Sequence, residues 1–156
     1  METRVIVSAI ICDGNRILLG KKAKGRPPYP DVWHTLGGGV NDAKKAMDLH
    51  ENNLYDDIYF YNELKREIKE EANIDIKNIK NICPEFRSKP REAITKNKFN
   101  IDTHYIFLEY LCDLDNGLAK PSDDIAELIW IEKENLKSLE LTPPSKEMYN
   151  ELGWLK

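Results

Sequence analysis

Residues Arg66 to Asn73 read Arg-Glu-Ile-Lys-Glu-Glu-Ala-Asn, which places Glu67, Glu70 and Glu71 at spacings i, i+3 and i+4. On an α-helix these three carboxylates project from one face as a stacked patch of negative charge. Like charges so spaced cost an isolated helix roughly 0.2–0.5 kcal/mol per pair, so the arrangement asks for a compensating cation. Hard divalent ions prefer oxygen ligands, and Mg²⁺ commonly pairs one or two carboxylates with substrate phosphates and water; Mg²⁺ or Mn²⁺ is therefore the natural occupant. The alternative is a solvated, Glu-rich face on a surface helix.

A helix must carry that patch. Asp56 or Asp57 is placed to cap its N-terminus, Tyr61, Leu64 and Ile68 form an apolar stripe that docks on a sheet, and Asn73 stands where a left-handed residue ends it. Upstream, Trp33 to Val40 reads as a short strand running into Gly37, Gly38 and Gly39. Backbone without Cβ atoms can approach a ligand closely, aiming carbonyls at a metal or amides at a phosphate. His34 beside this run and the basic residues of the proline-rich stretch from Gly20 to Asp31, Lys22 among them, are candidates for reaching a substrate phosphate.

The rest of the chain supplies scaffold. Val5 to Cys12 and Ile17 to Leu19 flank Asp13-Gly14-Asn15, a hairpin signal. Asn41 to Asp57 is polar and mixed. Ile79 to Phe86, Thr103 to Leu114 and Glu127 to Ile131 read as strands, Ser88 to Asn100 as a loop or hairpin tip, Glu132 to Leu139 as a short helix, and Ser145 to Glu151 as a C-terminal helix behind Pro143-Pro144. At 156 residues the chain fits one domain. A net charge of −4, with basic and acidic residues interspersed, argues against nonspecific nucleic-acid binding. The three cysteines form no Cys-x-x-Cys pair, and the apolar N-terminal run is too short to span a bilayer, so a soluble cytoplasmic protein is expected.

The order of a strand, a Gly-Gly loop, a helix bearing Arg-Glu-x-x-Glu-Glu and a β-rich second half resembles the Nudix hydrolase family over nearly the whole chain. Arg66 to Ile74 match the second half of the family's box, save that Asn73 replaces its glycine; Gly37 and Gly38 match the pair that opens it, and Trp33 an aromatic just before. Two departures stand out: Leu36 takes the place of the usual proline, and the spacing from Gly38 to Arg66 is 28 residues where the box has 14. Ile58 occupies the ungapped position of the first box glutamate, leaving Asp56, Asp57 or Glu51 to brace Arg66.

The resemblance implies an α/β protein, a Nudix-like α/β/α sandwich with a mixed central sheet, as a single domain over 1–156 with residues 41–57 inserted in the box. It implies a divalent-metal-dependent hydrolase that cleaves a diphosphate linkage in a nucleoside diphosphate derivative or a (deoxy)nucleoside triphosphate by water attack at phosphorus. By the same resemblance Glu67, Glu70 and Arg66 form the catalytic set, with Arg66 holding the carboxylates in place. Gly37, Glu67, Glu70, Glu71 and Asp124 bind metal, and Gly38, Gly39, Lys22 and His34 bind substrate. The partner is a small-molecule nucleotide, with neither membrane nor nucleic acid expected and a homodimer admissible. Residues 41–57 are expected to form a flap at the pocket mouth that bears on substrate choice. A second reading is a catalytically weak Nudix-like nucleotide-binding or regulatory module. An isopentenyl-diphosphate isomerase relative is disfavoured, because no cysteine lies in a matching context.

Overall fold

The computed structural model describes residues 1–22, 31–122 and 124–155. Strands β1 (Glu2–Asp13) and β2 (Arg16–Lys22) form the expected hairpin, with Gly14 at φ +62° in the turn. There follow β3 (Trp33–His34), β4 (Leu36–Gly39), α1 (Ala43–Glu51), α2 (Ile58–Ala72), β5 (Asp75–Asn81), β6 (Arg91–Lys96), β7 (Asp102–Asn116), β8 (Ile125–Glu132), a 3₁₀ turn (Lys133–Ser138) and α3 (Pro143–Glu151). The strands join one mixed sheet along the path β3-β2-β1-β7-β5, with β4 on β1, β6 on β7 and β8 on β2. Among the described strand pairs only β1 and β7 run parallel, paired from Glu2↔Thr103 to Cys12↔Asp113. Helices cover both faces, which makes this an α/β fold with a mixed central sheet.

Each face has its own core. Val5, Val7, Ala9, Ile11, Ile106, Leu108 and Tyr110 point toward α2, where Phe60, Leu64, Ile68 and Ala72 meet them fully buried. The alternate residues Ile10, Ile17 and Leu19 face α3 and pack on Met148 and Tyr149. This alternation is the strand period of two read along β1.

The principal helix forms as expected. The Asp57 side chain accepts from the Tyr59 amide at 2.9 Å, and Asn73 is left-handed at φ 58°, ψ 36°, its N–H donating to the Lys69 carbonyl. Four segments differ from the sequence reading. Gly20 to Lys22 continue β2 rather than begin a loop; the remainder of the proline-rich stretch lies outside the described residues. Residues 41–57, expected as a flap, contain α1, capped by Asp42 on the Lys45 amide at 3.1 Å. Ala46 is fully buried and Met47 and Leu49 pack on the α2-side core, so this helix is docked rather than free. The strand expected at Ile79 to Phe86 spans Asp75–Asn81 instead, leaving the core by way of a cis Cys83-Pro84 bond. Lastly, Arg91–Lys96, expected within a loop, is edge strand β6: its charged side chains obscure it, because only one side of an edge strand is hydrogen-bonded. Among the described residues no helix is long and apolar enough to cross a membrane.

Candidate active site

Strand β4 is held antiparallel to β1, with Gly37 opposite Ser8 and Gly38 opposite Val7, and α2 lies across it. This brings the glycines and the helix carboxylates together. The Gly37 N–H donates to Glu71 Oε1 at 2.8 Å, and Glu71 is only 5% exposed. Glu67 packs directly on Gly38: a Cβ added there would fall 2.5–2.8 Å from the three carboxylate atoms. A Cβ on Gly37 would meet the Val7 carbonyl oxygen at 2.1 Å. The two glycines are thus required for different reasons, Gly37 by the neighbouring strand and Gly38 by the glutamate.

Arg66 is the hub of the helix face. Its Nη1 lies 3.2 Å from Glu67 Oε1 and donates to both Glu70 oxygens at 3.2 and 3.3 Å, while its Nε donates to Glu63 Oε2 at 3.0 Å. Hydrogen bonding to Glu63 outweighs the cost of burial and raises the guanidinium pKa further, so the charge is permanent. Glu63 also accepts from the Asn41 backbone N–H at 2.6 Å and from the Tyr59 hydroxyl at 3.3 Å. Burial favours its neutral acid, but the Asn41 amide and Arg66 prevail and hold the carboxyl below the usual range. One residue therefore fastens Arg66 to the chain just beyond the glycine strand.

The brace for Arg66 is accordingly Glu63, not Asp56, Asp57 or Glu51. Asp56 accepts from the Tyr61 hydroxyl at 2.7 Å and the Asn81 amide at 2.9 Å, Asp57 caps α2, and Glu51 is exposed at the end of α1. The signal for Glu63 was in the sequence: it precedes Arg66 by three, Glu67 by four and Glu70 by seven residues, extending the acidic face one turn upstream.

The remaining candidates, Lys22, His34 and Asp124, lie around the end of β2 and the start of β8. The segment before β8 is tied to the end of α2 by Lys120 N–H to the Ala72 carbonyl at 2.9 Å and Ser122 N–H to the Glu71 carbonyl at 3.0 Å. Asp124 follows, half-buried, next to Ile125, which pairs with Lys22. His34 lies in the field of both Lys22 and Asp124, and its Nδ1 is 2.8 Å from the Thr35 carbonyl. Burial lowers the imidazole pKa more than that carbonyl raises it, leaving the ring neutral at pH 7. A concavity of about 1010 Å³ lies elsewhere, between Leu54–Asp57 and Cys83–Glu92, at the opposite end of α2 from Glu70 and Glu71.

The donor set offered by Glu67, Glu70, Glu71 and the β4 backbone is all oxygen, which suits a hard divalent cation. The space that a Cβ on Gly38 would fill, occupied by the Glu67 carboxylate, fits that use. Among the described residues, however, no three His, Cys, Asp or Glu side chains already converge on one coordination point, since Arg66 and the Gly37 amide engage these carboxylates.

No family model matches the chain. Two curated relatives align with it end to end. Nucleoside triphosphatase NudI of Enterobacter sp. (strain 638) is 24% identical over 157 residues, covering 99% of this chain and 100% of the relative. Nucleoside triphosphatase NudI of Klebsiella pneumoniae (strain 342) is 24% identical over 156 residues, with the same coverage of 99% and 100%. Among solved structures, a MutT NUDIX hydrolase from Burkholderia pseudomallei superposes with a TM-score of 0.69 at 21% identity, over 97% of this chain and 99% of that one. The NUDIX domain of Shewanella oneidensis NrtR, complexed with ADP ribose, does so with a TM-score of 0.68 at 11% identity, over 98% and 88%.

Proposed function

We propose, for a chain that belongs to the Nudix hydrolase family, that it cleaves a diphosphate linkage in a (deoxy)nucleoside triphosphate or a nucleoside diphosphate derivative by divalent-metal-assisted attack of water on phosphorus. The observation that carries the proposal is the seating of Glu67 on Gly38 and of Glu71 on the Gly37 amide, with Arg66 binding Glu67 and Glu70 alongside.

Glu67, Glu70, Glu71, Asp124 and the Gly37 carbonyl would hold Mg²⁺ or Mn²⁺. Bound there, the cation neutralises diphosphate charge and acidifies water. Glu67, crowded among like charges, takes the proton of the attacking water as a new P–O bond forms and the bridging P–O bond breaks. Arg66 holds Glu67 and Glu70 at the reacting end, and Glu63 holds Arg66. Gly38 and Gly39, on the strand between Glu67 and Arg4, would bind the substrate, and Lys22 and neutral His34 would contact it from the β2–β3 side. We take residues 1–156 as one unit, with 41–57 an insertion in the box that contributes to substrate choice. Phosphate or pyrophosphate release from a nucleotide panel with Mg²⁺, measured for wild type beside Glu70→Gln, tests the reading; equal turnover by the two proteins refutes the metal assignment.

A second reading, a nucleotide-binding module with weak turnover, is supported by the carboxylates' present engagement with Arg66 and the Gly37 amide, and by a structural neighbour whose NUDIX domain holds ADP ribose. Binding of the panel without product formation would favour it.

A further inference from the structure

The sheet face opposite α2 is only partly covered. In the β1/β7 register Arg4 lies beside Tyr105 and Ile6 beside Phe107, while Val5 and Ile106 between them turn into the α2-side core. Toward α3 the face is filled by Ile10, Leu111 and Tyr149, and Thr35 is hydrogen-bonded to Ser145 and Tyr149. At the opposite end, between the start of β1 and the turn from β6 to β7, a cavity of about 340 Å³ stays open, lined by Glu2, Arg4, Asn97, Lys98, Phe99 and Tyr105. That volume lies at the small end of ligand sites and suits one planar ring system.

The cavity has aromatic walls. Phe99 is 70% exposed, held out by a turn rather than by a core. Asn97 builds that turn, its Oδ1 accepting from the amides of Phe99 at 2.9 Å and Ile101 at 3.1 Å, with Asn100 left-handed at φ 62°. Tyr105 stacks on Phe107 at 6.1 Å and 28°, and the Arg91 guanidinium lies 3.9 Å from the centre of the Phe107 ring. The cavity also adjoins the glycine strand: a Cβ on Gly39 would fall 2.9 Å from Arg4 Nη2. A ligand with phosphates at Gly37–Gly39 would therefore direct its far end here.

The polar lining is biased toward donors. Arg4 and Lys98 can only donate. The Asn97 oxygen is consumed by its own turn, which leaves its Nδ2 as the free end. Only Glu2 accepts. We infer that this cavity holds the nucleobase, stacked on Phe99 and Tyr105, and selects bases with an acceptor-rich edge, of the guanine and uracil type, over adenine and cytosine. The amino groups of adenine and cytosine would face Arg4 and Lys98 donor to donor, whereas guanine O6 and uracil O4, the carbonyls at the corresponding positions, would be paired. The inference rests on the nucleotide reading proposed above.

The test is calorimetric titration of the full chain with GMP, UMP, AMP and CMP in EDTA, where no turnover is needed for a signal. GMP and UMP should bind roughly tenfold more tightly than AMP and CMP. Phe99→Ala, on an exposed turn, should weaken GMP about fivefold or more through lost stacking, and Arg4→Gln should compress the difference between GMP and AMP. Equal affinity for all four, absence of binding, or indifference to both substitutions overturns the inference. Discrimination without hydrolysis would instead sustain it and count against the hydrolase reading alone.

Discussion

Replacing Glu63 separates the brace of Arg66 from the metal ligands proposed on the same helix face. The residue is 8% exposed and accepts from the Asn41 amide, the Tyr59 hydroxyl and Arg66 Nε. Glu63→Ala leaves the Asn41 amide without its side-chain partner and removes one partner of an ion pair. Loss of a fully buried pair costs ~3–5 kcal/mol, but Arg66 keeps Glu67 and Glu70 and its side chain is 30% exposed. A cost of roughly 2–3 kcal/mol is expected, which lowers Tm by about 5–10 °C for a chain of this size. Glu63→Gln retains an oxygen for the Asn41 amide and should cost about half as much, yet it frees Arg66 to compete with metal for Glu67 and Glu70. Its signature is therefore an apparent Mg²⁺ requirement raised about 10–100-fold. Scanning calorimetry and phosphate release titrated with Mg²⁺ read the two effects, with Glu51→Gln on the exposed end of α1 as control. The stability gap between wild type and Glu63→Gln also has a sign in pH. Because the folded carboxyl titrates below its ordinary range, the gap is full above the unfolded value of about 4.3 and closes as pH falls through the depressed folded value. Normal Mg²⁺ dependence in Glu63→Gln, or an equal defect in Glu51→Gln, would refute the reasoning.

Glu70→Gln and Glu71→Gln should each lower nucleotide turnover by about 100-fold or more, with Glu71→Gln also losing stability because Glu71 receives the Gly37 amide. Gly38→Ala displaces Glu67, whose carboxylate is 2.5–2.8 Å from the added carbon, so turnover should collapse while the thermal midpoint moves little; a fully active Gly38→Ala would deny Glu67 its role. Arg87→Met should cost ~3–5 kcal/mol, because Arg87 donates to Glu109 at 2.8 Å and to both oxygens of Glu151 at 2.8 Å, joining β7 to α3 across a largely buried site. Chemical denaturation at pH 7 measures this loss, and a change below 1 kcal/mol would contradict it.

The legible parts of this molecule are those governed by local rules. The β1–β2 hairpin, the cap at Asp57, the left-handed stop at Asn73 and the carboxylate face of α2 each follow from a few neighbouring residues. Helix α1 was hidden because only Ala46, Met47 and Leu49 give it an apolar side, and β6 because Arg91, Glu92 and Lys96 dress an edge strand as a loop. Glu63 was legible as part of the acidic face but not as the brace. That role depends on the Asn41 amide, which is 22 residues away in the chain and reaches Glu63 only because α1 folds the intervening segment back.

The parallel pairing of β1 with β7 also sets a sequence of events. Residues 2–12 find their partners only at 103–113, so the strand on which β4 and its glycines rest has no inner neighbour until about two-thirds of the chain has been synthesised. Closing a loop of that length is entropically slow compared with forming the hairpin or α2. When α2 is made, β4 and its glycines are already present, but β1, on which they rest, still lacks its inner neighbour. A nascent chain halted before β7 should carry every proposed box residue and still lack a metal platform.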